Sequence, residues 1–370
     1  MSEAVLIGFG RIGVAVALDF YRSISTLTVA DFDDKRLMFA YNVLGFNVLR
    51  LNATKLSELD KLKNFNLAIT ALPGSIAFPV VKRLVELGLN VVDVSYFPED
   101  PWSLHELAVN NEVKLIVDAG LAPGLSNIIL GYFHSKYGGL KSGKIYVGGL
   151  SQDPSLPLGI VASWSMEDLV DEYIRPARII RDGKIVEVNP LDYTGCVEIP
   201  SLGSFECFVS DGVRTMLKTF GDADELIEYT LRYEGHLELM KFLRFLGFLS
   251  NKELVVDGCK IKLSSLLAKL FEERLVRDAP DRVVMYIEAL SRSDVSKHFV
   301  MDVGYDDKLK LSAMSKVTGF TQSIIAKMVL DGLIEQHGLI PPENIGMDLK
   351  LYDHLISELR GRGIIVSETS

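Results

Sequence analysis

A strand-like run, Ala4-Val5-Leu6-Ile7, leads straight into Gly8-Phe9-Gly10-Arg11-Ile12-Gly13 and then into an apolar, helix-forming stretch. Glycines at this spacing let a backbone close around a diphosphate. Gly8 permits the tight turn. Gly10 removes the Cβ that would stand between backbone and pyrophosphate, and Gly13 lets helix and strand pack closely. The helix N-terminus, opening at Arg11 and Ile12, offers free N–H groups and partial positive charge to phosphate oxygens. The next strand, Leu27-Thr28-Val29-Ala30, ends at Asp31, eighteen residues past Gly13. A carboxylate there accepts both ribose hydroxyls and repels a 2′-phosphate, which favours NAD over NADP. Lys35 and Arg36 follow closely and soften that preference; Asp33 is a weaker ribose candidate. Leu72 and Pro73, in "TALPGS", close a fourth strand where the cofactor lies in such a sheet, although a plain strand-to-helix turn explains them equally well.

These residues need a scaffold, and the first third of the chain reads as one. Short apolar strands alternate with helices of about three turns through "NLAITALPG", "NVVDVSY" and "KLIVDAG", the grammar of βαβ units on a parallel sheet. After Pro123-Gly124 the pattern changes. One apolar helix follows (Leu125, Ile128, Ile129, Tyr132, Phe133), and strands then dominate: "GKIYVGGL", "GIVASW", "RVVMYIEAL" and a long run from His298 to Met314. Asp182-Gly183 and Asp257-Gly258 mark hairpins. Helices are expected at 235–246, 264–273, 315–330 and 349–360. The fold class is therefore α/β: a doubly wound Rossmann sheet over 1–124, an α+β substrate domain with a largely antiparallel or mixed sheet over 125–334, and a C-terminal segment, 335–370, returning to the first domain.

At 370 residues two domains are the prior. The net charge of −10 argues against nucleic acid and anionic membrane as partners, and solubility suffices to explain it. Three cysteines without CxxC spacing fit a reduced, cytoplasmic setting, with no disulfide framework and no zinc or other metal site. A basic leader and a membrane-length apolar run are both missing.

The blocks "VVDVSY", "DAGLAPGLSN", "YVGGL", "RYEGHLELMKFLRFLG", "VTGFTQSIIAKM" and "PPENIG" occur in that order. The chain resembles the saccharopine dehydrogenase family over essentially its whole length, and within it the lysine 6-dehydrogenase branch. The resemblance implies NAD-linked oxidative deamination of the ε-amine of L-lysine, an amino acid as the small-molecule substrate, and a homodimer formed through the substrate domain. Pro123-Gly124 is then expected to line a cleft between the domains. Two rivals stand beside this reading: a saccharopine- or carboxynorspermidine-type imine reductase, and a non-catalytic NAD-binding regulator.

That reaction needs a base, because a lysine ammonium, with a pKa near 10.4, cannot release hydride from the adjacent carbon. His236, just after Gly235 at a helix N-terminus whose dipole keeps the ring neutral, is the first candidate; capping or packing is the plain alternative. Asp93, ending the fifth strand, would bind the amine or polarise a water, or simply cap a turn, and Asp118 ends the next strand similarly. Arg175, Arg178 and Arg214 are candidates for the substrate carboxylate. Lys241 and Tyr173 stand beside them.

Overall fold

The computed structural model describes residues 3–21, 27–162, 165–275 and 279–369. In the first third, β1 (Ala4–Ile7), α1 (Arg11–Tyr21), β2 (Leu27–Asp31), α2 (Asp34–Asn42), β3 (Asn47–Arg50), β4 (Leu67–Thr70), α3 (Gly74–Glu86), β5 (Asn90–Asp93), α4 (His105–Asn110), β6 (Lys114–Ile116) and α5 (Leu125–Tyr137) follow in order. The middle contains β7 (Leu140–Ser151), α6 (Met166–Asp171), β8 (Ala177–Arg181), β9 (Lys184–Val188), β10 (Thr194–Ile199), β11 (Gly203–Ser210), α7 (Met216–Thr219), β12 (Glu225–Arg232), α8 (His236–Phe245), β13 (Glu253–Val256), β14 (Cys259–Lys262), α9 (Leu263–Arg274), β15 (Asp281–Ser291) and β16 (Ser296–Gly304). The chain closes with α10 (Ala313–Leu330), β17 (Gly338–Leu339), α11 (Pro342–Met347), α12 (Leu349–Gly361) and β18 (Ser367–Thr369).

Packing groups residues 1–135 with 315–363, and 136–314 with 364–370. By this grouping, most of α5 and most of α10 count with the first unit.

The first unit is built on a parallel sheet in the order β17-β6-β5-β4-β1-β2-β3. Every residue of β1 and β4 is buried, as a parallel sheet clad on both faces requires. Its core packs Val5, Ile7, Ala68 and Val91 against Val80, Val81 and Leu84 of α3. Helix α1 is tied to later chain through Asp19, which is fully buried. That carboxylate accepts from Ser323 Oγ (2.8 Å), Lys327 Nζ (3.0 Å) and Arg362 Nε (2.5 Å).

The second unit carries a mixed sheet in the order β10-β11-β12-β7-β15-β16-β18, with β8 and β9 attached through β12. Its β12–β7 pair is parallel and its other pairs are antiparallel. The expected fold class is what the structure shows. Both Asp-Gly hairpins form with positive φ at each residue (51° and 66°; 50° and 82°). Two strand assignments do not hold. β16 stops at Gly304 and the chain turns into α10. In "GIVASW", residues 160–162 form no strand, and Ser163 and Trp164 lie outside the described residues. Among the described residues no helix is long and apolar enough to cross a membrane.

Candidate functional site

In the first unit the three glycines have separate jobs. Gly8 has φ +95°, and a Cβ there would lie 2.4 Å from Ala71 O and 3.1 Å from Leu72 Cδ2. A Cβ on Gly13 would lie 2.1 Å from Gly8 O. Gly10 differs: its Cβ would meet only Arg36 Nη1, at 4.0 Å. The turn is closed on the protein side at Gly8 and Gly13 and open at Gly10, the shape a pyrophosphate needs, so these residues fit a dinucleotide. Arg11 and Ile12 open α1 directly behind it. Leu72 is brought against Gly8, while Pro73 is the exposed N-cap of α3.

Asp31 is nearly buried, and its oxygens accept from Phe9 N (2.7 Å) and Asp33 N (2.9 Å). It thus stitches the glycine turn to β2. Arg36 Nη1 stands 3.6 Å from the same carboxylate. The Asp33 side chain caps α2, accepting from Lys35 N at 2.8 Å.

At the carboxyl edge of the sheet Asp93 is fully buried. Its Oδ1 accepts from Thr70 Oγ1 (2.5 Å) and Ser95 Oγ (2.8 Å), and its Oδ2 from Ser95 N (2.9 Å). Ser95 Oγ in turn accepts from Leu72 N at 3.3 Å, which links this carboxylate to the dinucleotide loop. Burial pushes the Asp93 acid up to about 7, against the hydrogen bonds from Thr70 and Ser95 and with help from the charge of Asp118. An acid whose folded value is raised stabilises the fold while protonated and loses that contribution as pH rises from the ordinary 3.8 towards 7. Asp93→Asn should therefore flatten the fall in thermal midpoint of the parent between about pH 4 and pH 7. Parallel midpoint curves for the two proteins would show that Asp93 does not titrate there.

In the second unit β12 breaks the usual pattern. Its positions paired with Glu206, Phe208 and Ser210 of β11 are Arg232, Thr230 and Glu228, all buried. Arg232 donates from Nε to Tyr173 Oη (3.0 Å), from Nη1 to Leu231 O (2.9 Å) and from Nη2 to Glu172 Oε2 (3.1 Å). Tyr173 Oη lies 2.8 Å from His236 Nε2, and His236 Nδ1 lies 2.9 Å from Leu158 O. A carbonyl only accepts, so Nδ1 carries the proton, and the phenol donates to Nε2. Leu158 itself sits at φ +62°, an unusual conformation for a leucine, beside the ring that holds its carbonyl.

His236 is therefore not a base poised near neutrality. Burial first, then the charge of Arg232, lowers its pKa to about 3, opposed by the Leu158 hydrogen bond, and both ring nitrogens are engaged. The ring is neutral because it is buried, and the helix dipole is not needed to explain it.

Arg178 is committed elsewhere: it grips Asp211 from Nε (3.0 Å) and Nη2 (2.8 Å), and Arg175 is likewise bonded to Asp171. Lys241 lies on the exposed face of α8, 3.2 Å from Thr194 Oγ1. Arg214 is buried in the left-handed region at φ +45°. Of the expected group, the structure brings Tyr173 and His236 together and adds Arg232 and Glu172. Arg232 lies four residues before His236 in "TLRYEGH", a block already singled out; what hid it was an unrecognised strand with polar residues facing inward. Ser95 and Thr70, which hold Asp93, gave no signal of their own.

Two family models match the chain: the saccharopine dehydrogenase NADP binding domain over residues 4–116 and the saccharopine dehydrogenase C-terminal domain over residues 120–364. The alpha-aminoadipic semialdehyde synthase of Arabidopsis thaliana is 27% identical over 233 residues, covering 59% of this chain and 22% of that protein. The saccharopine dehydrogenase [NADP(+), L-glutamate-forming] of Saccharomyces cerevisiae is 29% identical over 220 residues, covering 56% and 49%. The chain thus spans half or less of the length of these relatives. Among solved structures, apo saccharopine dehydrogenase (L-Glu forming) from Saccharomyces cerevisiae superposes with a TM-score of 0.78 at 22% identity, covering 100% of this chain and 99% of that one. Homospermidine synthase from Legionella pneumophila, in complex with NAD, gives 0.66 at 13%, covering 100% and 91%. Both likenesses establish the fold.

Proposed function

Because the chain belongs to the saccharopine dehydrogenase family, we propose that it is a pyridine-nucleotide oxidoreductase acting on the CH–NH2 group of an amino acid. Its substrate on this reading is L-lysine, deaminated at the ε-carbon to the 6-semialdehyde with release of ammonia. One observation carries the choice of lysine. Arg175, Arg178, Arg244 and Arg282 of the second unit each already face a carboxylate, namely Asp171, Asp211, Asp192 and Asp302. A substrate with one carboxylate asks less of such a site than saccharopine, which has three.

The dinucleotide bound at Gly8–Gly13, NAD in preference to NADP on account of Asp31, supplies the hydride acceptor. The names of the family model and the yeast relative favour NADP, and Arg36 beside Asp31 is the residue that would accommodate it. Within the first unit, Asp93 has the acidity a base for this chemistry needs, and the Ser95 hydroxyl bonded to it is the group through which a proton would pass. Within the second unit, Arg214 is the candidate for the substrate carboxylate, since Arg232, 1% exposed, already donates to Tyr173, Leu231 O and Glu172. His236 holds the phenol of Tyr173, and the phenol accepts from Arg232. A homodimer and a cytoplasmic location belong to the same proposal.

The test is absorbance of the reduced cofactor with purified protein, NAD or NADP, and a panel of lysine, saccharopine and diamines, with an aldehyde trap for the product. Reduction with lysine and a trapped semialdehyde is expected. Oxidation of saccharopine with silence on lysine would establish the reductase reading instead. A protein that binds NADH but oxidises nothing in the panel would favour the regulator.

A further inference from the structure

Helix α8 has two apolar faces. Leu237 and Met240 are buried in a core to which α9 also contributes. Opposite them Leu239, Phe242, Phe245 and Leu246 stand in solvent, with Phe242 57% and Phe245 83% exposed. The outer face of a surface helix ordinarily carries polar side chains, and a helix apolar all round is ordinarily buried. The hairpin that follows repeats the anomaly. Strands β13 and β14 pair only with each other among the described residues, and all of β13 is exposed, Leu254, Val255 and Val256 included. A two-stranded sheet with neither face covered is marginal in water. Two consecutive elements therefore present apolar side chains that no described residue of the chain covers.

We infer that the outer face of α8, with the β13–β14 hairpin that follows it, is where a second copy of this chain docks about a two-fold axis. The inference rests on the homodimer of the proposed function and names the face that forms it. The α8 stripe reads alike in both directions, since Leu239 lies one helical turn before Phe242 and Leu246 one turn after it. A two-fold axis through Phe242 sets the two helices antiparallel. Phe242 then meets its own copy and Leu239 meets the partner's Leu246, the self-complementarity that an isologous contact requires. The same packing brings Glu238 to the partner's last helical turn, which carries the basic Arg244. Exposed charges of both signs accompany the apolar side chains: Glu238, Glu253 and Asp257 with Lys241, Lys260 and Lys262. A mixed border pairs reciprocally with an identical surface, whereas an anionic membrane asks for a basic one. The area is sufficient as well. The exposed apolar residues of α8 and β13 together offer on the order of 700 Å², close to the roughly 800 Å² that each partner gives to a standard interface.

Sedimentation velocity over a range of protein concentrations reads the association directly. The full chain is expected to be a dimer at micromolar concentration. Phe242→Glu should weaken the dimer about a hundredfold or more, because it sets two carboxylates against each other on the axis. Phe245→Glu, at the most exposed position of the stripe, is the second variant should the first not fold. Ile185→Glu is the control: that side chain is 58% exposed on β9, outside the proposed face, and its dimer should be unchanged. A dimeric parent whose constant survives both α8 variants uses another face, which overturns the inference and leaves the homodimer standing. Equal weakening by Ile185→Glu overturns it too, since the effect then belongs to added charge in general. A parent that stays monomeric at every concentration sinks the homodimer and the inference together. Flotation with phosphatidylcholine vesicles, with and without phosphatidylserine, then tells whether the apolar face is a lipid contact instead. None of these outcomes depends on which amino acid is oxidised, so a failed substrate assay and a failed interface remain distinct.

Discussion

Gly10→Val should fold like the parent and bind NADH or NADPH about a hundredfold more weakly, or worse, which corresponds to about 2.7 kcal/mol or more. Gly10 lies outside the left-handed region, and a Cβ there meets nothing nearer than Arg36 Nη1 at 4.0 Å. The side chain therefore costs the empty protein little and projects where a pyrophosphate must approach backbone. Gly13→Ala is the control with the opposite signature. Its Cβ would sit 2.1 Å from the carbonyl of Gly8, so the turn itself must move, and the thermal midpoint should drop along with affinity. Fluorescence titration of the reduced cofactor, paired with thermal melts, separates the two. Unchanged cofactor affinity in Gly10→Val would place the dinucleotide somewhere else.

Asp19→Ala should destabilise the first unit by about 3–5 kcal/mol, the usual loss when one partner of a buried ion pair is removed. Two cations converge on that carboxylate, with side-chain exposures of 9% for Lys327 and 12% for Arg362. Removing it leaves both without their main counter-charge. Burial works to raise the Asp19 acid, but the hydrogen bond from Arg362 and the charges of Lys327 and Arg362 outweigh it, and the net shift is downward from 3.8. A depressed carboxylate stabilises the fold above its unfolded value and loses that contribution as pH falls through its folded value. The gap in thermal midpoint between parent and variant should thus be full at neutral pH and shrink in strong acid. A gap of under about 1 kcal/mol at pH 7 would mean that the clasp is dispensable.

Most of the first unit was legible because its information is local. Apolar runs of strand length, helical periodicity between them, and the glycine spacing at 8, 10 and 13 each specify their neighbourhood without help from distant chain. Asp31 was found the same way, by its distance from Gly13. The Asp-Gly hairpins were equally plain, since positive φ at two successive positions is a property of the dipeptide. The strands β10 to β12 were not. In "ELIEYTLR" the polar members Glu228, Thr230 and Arg232 are buried along with Leu226, Ile227 and Leu231. Alternation reveals a strand by assuming that polar means outside, and a polar interior defeats that assumption.

The sequence by itself determined the alternation of short strands and helices, the phosphate-binding turn and the change of architecture after the sixth strand, all of which are written in patterns local to the chain. Only the tertiary structure decided the roles of charged residues. Arg178 pairs with Asp211, and Arg232 with Glu172. His236 is kept neutral by what surrounds it, and Asp93 is raised towards neutrality by burial. An ionisable side chain takes its acidity and its partner from groups brought near by packing, often far away along the chain, and residue type and spacing carry no record of them.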